Sequence, residues 1–506
     1  MGRDIRVVVI GAGMAGILAA IKLNQSGFRN FIVYEKADRV GGTWRENSYP
    51  GLTCDVPSHS YTYSFEPNPN WSHLLPPGPE IQAYFEGVAQ KYGVEPFFAF
   101  NEEIVRCAFE GGRWHIETAS GTRDAADIVI AATGVLHHPN YPSIPGLDSF
   151  AGDCFHSARW DHAVPLDGQR IGVIGTGSTG VQIVSALAGR AGKLSHFQRT
   201  PQWVMPTVNM AFTDEQKAAF REQPMLLRAV QNDPGYLEIA WNWTEAVVDQ
   251  NSAMIDQFEA AGRAYLEETV QDPVLREKLR PAGRAGCKRL VQSGEYYQAI
   301  QHPNAALVDA PIERVEPTGV RTADGVLHEL DLLVLATGFR TDQFLRPMNV
   351  TGRDGVALDD AWAKRPSAYM AISIPEFPNL FMLNGPTAPV GNFALIDVAE
   401  RQWAYIAHFI DLIASGRVTE VSAKPGAFDR YEADRIAAAR NTIWGSGCQS
   451  WYLDSEGVPS AWPWSYRHFA SEMATPRFDA YDMRTPEMAN ANGQTAAAAQ
   501  QPVPAE

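Results

Sequence analysis

The stretch F-A-G-D-C-F-H-S-A-R-W-D, Phe150 to Asp161, divides the chain. A proline-rich run, Pro139 to Gly146, precedes it, and a strand-like run, Arg170 to Ile174, follows. One glycine loop of the dinucleotide-binding kind lies upstream, and a second lies downstream. A bland linker needs few aromatics and no fixed pattern. This one carries Phe150, Phe155 and Trp160, with Gly152 and His156 between them. It is therefore expected to pack between two nucleotide-binding domains.

Upstream, Ile5 to Ile10 reads as a short β-branched strand. Gly11-Ala12-Gly13-Met14-Ala15-Gly16 follows and opens a helical pattern to about Ser26. A second strand, Phe31 to Tyr34, ends at Glu35. Strand, G-x-G-x-x-G, helix, strand and acid make a dinucleotide-binding unit. Gly11, Gly13 and Gly16 permit a tight turn and close approach of a pyrophosphate, and the helix start offers free N–H groups to it. Glu35 can accept hydrogen bonds from ribose hydroxyls.

Downstream the order repeats. Arg170 to Ile174 is a strand, Gly175-Thr176-Gly177-Ser178-Thr179-Gly180 opens a helix, and Leu194 to Gln198 is the next strand. Glu35 lies 24 residues after Gly11, and Arg199 lies 24 residues after Gly175. An acid at that position suits two ribose hydroxyls, whereas an arginine suits a 2′-phosphate. Thr200 adds a hydroxyl donor. The second loop (Gly175, Gly177, Ser178, Thr179, Gly180) is thus expected to bind NADPH, with Arg199 and Thr200 on the 2′-phosphate.

These readings predict an α/β chain with two Rossmann-like dinucleotide-binding domains and a helical insertion in the second. The first domain is expected to start in residues 1–145 and to finish in 341–487. Residues 146–168 form the link, and 169–340 the second domain. Its insertion, about 209–286, is helical, lacks a third glycine loop and is expected to help wall a substrate pocket. Two apolar strands, D-I-V-I-A-A-T-G (Asp127 to Gly134) and D-L-L-V-L-A-T-G (Asp331 to Gly338), share an Ala-Thr-Gly ending. A long helix from about Leu395 to Ser415 presents Val398, Ile406, Phe409, Ile410 and Ile413 at helical spacing. Residues 488–506 are Ala, Gln, Asn and Pro without periodicity, and a disordered tail is expected there.

The formal net charge of −16 argues against a nucleic-acid surface. Five cysteines without a C-x-x-C pair suggest reduced thiols, no disulfide frame and no zinc site. No apolar run approaches the ~20 residues needed to cross a bilayer. The start of the chain runs straight into a glycine loop rather than reading as a signal peptide. A cytoplasmic protein without a membrane partner is expected. His137, His138 and His162 read as loop histidines, and no metal site is expected. There is no G-x-S-x-G elbow, and Cys54 stands alone where a disulfide reductase would need a pair.

The pattern F-x-G-x-x-x-H-x-x-x-W-[P/D] is matched by Phe150, Gly152, His156, Trp160 and Asp161. A second, [A/G]-G-x-W-x-x-x-x-[F/Y]-P-[G/M]-x-x-x-D, is matched at Gly41, Gly42, Trp44, Tyr49, Pro50, Gly51 and Asp55. Lys288-Arg289 stands before Tyr296-Tyr297, and Ser450-Trp451-Tyr452 lies near the end. On these motifs, from Ile5 to about Tyr466, the chain resembles the type I Baeyer–Villiger monooxygenases. Leu290 departs from the proline common at that position.

The resemblance implies FAD in the first unit, with Gly42, Thr43, Trp44 and Asp55 near the flavin, and NADPH in the second. It implies that Arg289 is the catalytic arginine, that Asp55 stands beside it, and that Lys288 and Trp451 contact NADP. The N-terminus of the long helix would face the pyrimidine end of the flavin. The implied activity inserts one oxygen atom from O₂ next to a ketone carbonyl, through a flavin C4a-peroxide, to give an ester or lactone. Sulfides are further implied substrates. A flavin monooxygenase acting on nitrogen and sulfur is the alternative on the same fold, and it lacks the Trp160-Asp161 pair. A non-catalytic redox sensor is the alternative from another class. Partners would be the ketone and O₂, and the assembly a monomer or homodimer.

Overall fold

The computed structural model describes residues 4–389, 391 and 393–487; the tail expected at 488–506 lies outside them. Two five-stranded parallel sheets organise the chain. The first runs in the order Leu380–Met382, Ile128–Ala131, Val7–Ile10, Phe31–Glu35, Phe98–Phe100. The second runs Ala305–Val308, Lys193–Phe197, Arg170–Ile174, Leu332–Leu335, Asp153–His156. The central strands VVVI, IVIA and LLVL are buried at every residue. Continuous apolar runs are what a parallel sheet covered on both faces demands. Leu380–Met382 returns the chain to the first sheet after the second is complete.

The segment expected as a link contributes a strand. Asp153–His156 pairs in parallel with Leu332–Leu335 at the edge of the second sheet. Its sequence, D-C-F-H, is half polar because an edge strand is covered on fewer sides, which hides it from an apolar-run reading. The next residues bind the first domain. Trp160 is buried in one cluster with Tyr49 and Leu52. Arg159 pairs with Glu46, and Ser48 Oγ lies 2.8 Å from His162 Nε2. His156 is fully buried; its Nε2 donates to the Gly338 carbonyl at 2.9 Å and its Nδ1 accepts from Ala158 N–H. Burial lowers its pKa, so it serves as a neutral strut. Asp161 accepts from Ala163 N–H and caps a turn.

The paired Ala-Thr-Gly endings have a structural reason. Each packs its alanine carbonyl under the first glycine of one loop. A Cβ at Gly11 would stand 2.8 Å from the Ala132 oxygen, and one at Gly175 would stand 2.2 Å from the Ala336 oxygen. Both glycines also have positive φ, so no other residue fits either place.

The insertion is helical, with Asp214–Glu222, Pro224–Gln231, Pro234–Val247, Ala253–Thr269 and Pro273–Leu279. Ala246, Val247 and Ile255 pack with Trp203 and Met205 of the second domain and with Ile443, Trp444 and Tyr452 from the end of the chain. In that region the thiol expectation fails. Cys287 and Cys448, 161 residues apart, form a disulfide. The tertiary fold brings them together, and no local spacing announces it. Among the described residues no helix is long and apolar enough to cross a membrane, and no cluster fit to hold a metal ion is present.

His196 supports the second glycine loop. Its Nε2 donates to the Gly175 carbonyl and its Nδ1 accepts from the Tyr296 hydroxyl, both at 2.9 Å. Burial pushes its pKa down to about 4. The unfolded chain takes a proton near pH 6.5 that the folded chain refuses. Stability is therefore complete above that pH and falls as pH drops toward 4. Between pH 7 and 5 the loss from this residue is about 2 kcal/mol. Urea unfolding at the two pH values should show a smaller loss, by that amount, in His196→Gln.

Candidate active site

Both glycine loops lead into helices with open starts. Met14–Gln25 and Ser178–Leu187 begin after Gly13 and Gly177, with no capping side chain and no acid in the first turn. Their N–H groups and positive dipole ends stay available to an anion. Gly16 and Gly180 lie behind the loops. A Cβ at either would stand within 2 Å of the carbonyl oxygen of Gly11 or Gly175, so they set the helix against the turn. Glu35 also works on the loop: its Oε2 accepts from Ala12 N–H at 2.7 Å and its Oε1 from Ala37 N–H at 2.9 Å.

A cavity of about 480 Å³ runs from the first loop toward the second domain. It is lined by Gly11, Gly13, Glu35, Gly42, Thr43, Trp44 and Asp55 from the first domain, and by Ser178, Thr179, Arg289 and Trp451. The start of the helix Leu395–Ala414 also reaches it, through Ala394 and Leu395. Gly16, Gly175, Gly177, Gly180, Arg199, Thr200 and Lys288 stand outside its lining.

At the junction Arg289 donates Nε to Asp55 Oδ2 at 2.6 Å and Nη2 to Asp55 Oδ1 at 2.8 Å. Such a fork fixes the guanidinium plane as well as its charge. Burial alone would raise the Asp55 pKa, but the Arg289 charge and hydrogen bonds outweigh it and hold it below the usual carboxylate value. The Asp55 charge in turn raises that of Arg289 against the effect of burial. The pair is ionic throughout the neutral range. Tyr452 is buried, and its pKa is raised by burial against the pull of the Arg289 charge. Trp44 Nε1 donates to the Tyr61 hydroxyl at 3.0 Å, with the two rings edge to face.

Lys288 and Arg199 form a second cationic group. The Lys288 pKa is lowered by burial and then by the nearby Arg199 charge. Among the described residues neither has an acidic partner. Two neighbouring cations without a carboxylate are a donor set suited to a phosphate. Thr176 Oγ1 donates to the Thr200 carbonyl at 3.0 Å, tying this strand end to the glycine loop.

Residues 8–218 match the family model described as pyridine nucleotide-disulphide oxidoreductase. An uncharacterized monooxygenase of Mycobacterium tuberculosis (strain ATCC 25618 / H37Rv) is 46% identical over 484 residues, covering 96% of this chain and 97% of that protein. A Baeyer–Villiger monooxygenase of Streptomyces coelicolor is 37% identical over 502 residues, covering 98% of this chain and 95% of its own.

The chain belongs to the Baeyer–Villiger monooxygenase family.

A crystal structure of OTEMO in complex with FAD and NADP is similar to this monooxygenase with a TM-score of 0.85 at 28% identity, covering 96% of this chain and 100% of that one. The protein is an FAD- and NADPH-dependent flavin monooxygenase. The open helix starts and the partnerless cations fit such dinucleotides.

Sequence reasoning missed two residues at or beside this candidate site. Gln182, one turn into the second helix, accepts from the Tyr49 hydroxyl at 2.9 Å and donates Nε2 to the Thr53 carbonyl at 3.0 Å. It holds the Tyr-Pro-Gly motif to the second domain. Tyr452, next to Trp451, is the buried member of that pair, 3% exposed against 38%. A motif in a loop does not reveal which of two aromatic neighbours turns inward.

Proposed function

We propose that this monooxygenase converts a ketone to an ester or lactone at the cavity where Arg289 and Asp55 meet. The forked Arg289–Asp55 pair, at the edge where both nucleotide units converge, carries the reading. Bound there, FAD and NADPH supply the reducing equivalents and the activation of O₂. The chain's own residues do the rest.

Arg289 is a permanent cation with five N–H donors. Asp55 accepts two of them, which leaves donors for a substrate oxygen. Attack on the carbonyl carbon moves negative charge onto the carbonyl oxygen. A preorganised guanidinium stabilises that oxyanion without reorganising at the moment of reaction. Asp55 supplies orientation rather than a proton, because its pKa is held low. Trp44 and Tyr61 wall the site and exclude water. The N-terminus of Leu395–Ala414 has no side-chain cap, and its first-turn Asp397 is paired with Arg401, so it places a partial positive charge at the cavity, suited to a reduced, anionic flavin. Lys288, Arg199 and Thr200 take the 2′-phosphate of NADPH, and Trp451 covers the nucleotide.

The test is product analysis by mass spectrometry. The holoenzyme is incubated with NADPH, O₂ and a panel of cyclic, linear and aryl ketones, with a thioether and an amine. Ester or lactone carrying one added oxygen is expected. NADPH consumption with sulfoxide or N-oxide as sole product would overturn the ketone reading.

A further inference from the structure

The Cys287–Cys448 disulfide sits where two parts of the site meet. Cys287 directly precedes Lys288 and Arg289, and Cys448 lies three residues before Trp451. The two segments also share one apolar cluster, through Leu290, Ile443, Trp444 and Tyr452. The Cα atoms are 5.4 Å apart, a span that a disulfide bridges without moving backbone. The reduced state has a place too, since the Ile443 carbonyl lies 2.9 Å from Cys448 Sγ and can accept its S–H. Cys448 is buried, whereas Cys287 is half-exposed. The other three cysteines are single thiols, and two of them are buried.

We propose that Cys287 and Cys448 form a reversible redox site whose oxidation clamps the Trp451 loop to the Arg289 segment and slows NADP⁺ release. In the oxidising step each thiol gives up one proton and one electron, and the S–S bond forms. Hydrogen peroxide accepts both electrons and both protons and leaves as two waters. For reduction, a thiolate of a small dithiol attacks the open Cys287 sulfur and expels the Cys448 thiolate. The second thiol of the reductant then displaces Cys287 and leaves as the cyclic disulfide. Reduction thus leaves the two segments joined by packing and by weak contacts of the Cys287 thiol with the Ile443 carbonyl and Ser446 hydroxyl, both at 3.9 Å, so the loop that carries Trp451 at the cavity edge moves more freely.

Three readouts on the full-length holoenzyme test this, each after treatment with hydrogen peroxide or with dithiothreitol. A non-reduced peptide digest of the oxidised protein should contain Cys287 and Cys448 in one cross-linked species that dithiothreitol removes. Reduction should lower the thermal midpoint by roughly 3–5 °C, given the long loop that the bond closes. Reduction should also raise the NADP⁺ dissociation rate several-fold by stopped-flow fluorescence. Cys154→Ser should behave as the native protein, and Cys287→Ser/Cys448→Ser should resemble the reduced protein in both redox states.

Failure to find the cross-linked peptide would overturn the site. A cross-link and a midpoint shift with an unchanged release rate would overturn the clamp. The release readout rests on the reading of Lys288 and Trp451 above, and the other two do not. Lys288→Ala separates the cases: if it leaves NADP⁺ affinity unchanged, the nucleotide reading fails rather than the redox one.

Discussion

Arg289→Ala is expected to be reduced by NADPH at close to the native rate and to form essentially no ester. Reduction needs the two dinucleotides held by the glycine loops, and Arg289 belongs to neither loop. Oxygen transfer needs a fixed cation where negative charge develops. Losing one such preorganised contact costs on the order of 10²–10³ in rate. Here the loss also strands Asp55, whose carboxylate has both oxygens on this guanidinium, and an unpaired half-buried carboxylate repels the developing charge. Arg289→Lys keeps a charge but not the fork and should recover little of the rate. Anaerobic bleaching of the flavin by NADPH, compared with ester yield in air, checks the split. Ester at the native rate in Arg289→Ala would end the assignment. A parallel loss of both steps would move Arg289 from oxygen transfer to nucleotide binding.

Arg199→Ala is expected to reduce the preference for NADPH over NADH. A charge-assisted hydrogen bond contributes about 1.5–3 kcal/mol, which corresponds to roughly ten- to over a hundredfold in specificity. The change should appear as a raised KM for NADPH, with NADH little affected, because NADH lacks the 2′-phosphate. Lys288→Ala should act in the same direction. The double variant should lose less than the sum of the two, since removing either cation relieves the repulsion that lowers the Lys288 pKa. Steady-state kinetics with both nucleotides checks this. An unchanged ratio in Arg199→Ala would sink the phosphate assignment.

Much of this protein is local and could be read from the chain. A strand, a glycine turn, a helix start and the residue at the next strand end lie within about 25 residues of one another, so spacing alone reveals each unit. That is why Glu35 and Arg199 could be compared before any fold was known. The apolar strands of both sheets were legible because a covered parallel strand must be apolar along its length.

What the tertiary structure decided crosses long sequence distances. Resemblance named Asp55 and Arg289, but the fork between residues 234 positions apart exists only because the two sheets dock in one relative position. Pairing within the second sheet turned D-C-F-H into an edge strand, while the docking gave Gln182 its hold on Tyr49 and buried Tyr452 rather than Trp451. It also joined Cys287 to Cys448, against the expectation drawn from cysteine spacing. Periodicity and motif spacing report the surroundings of a residue along the chain. A contact between domains depends on surfaces that no single segment contains.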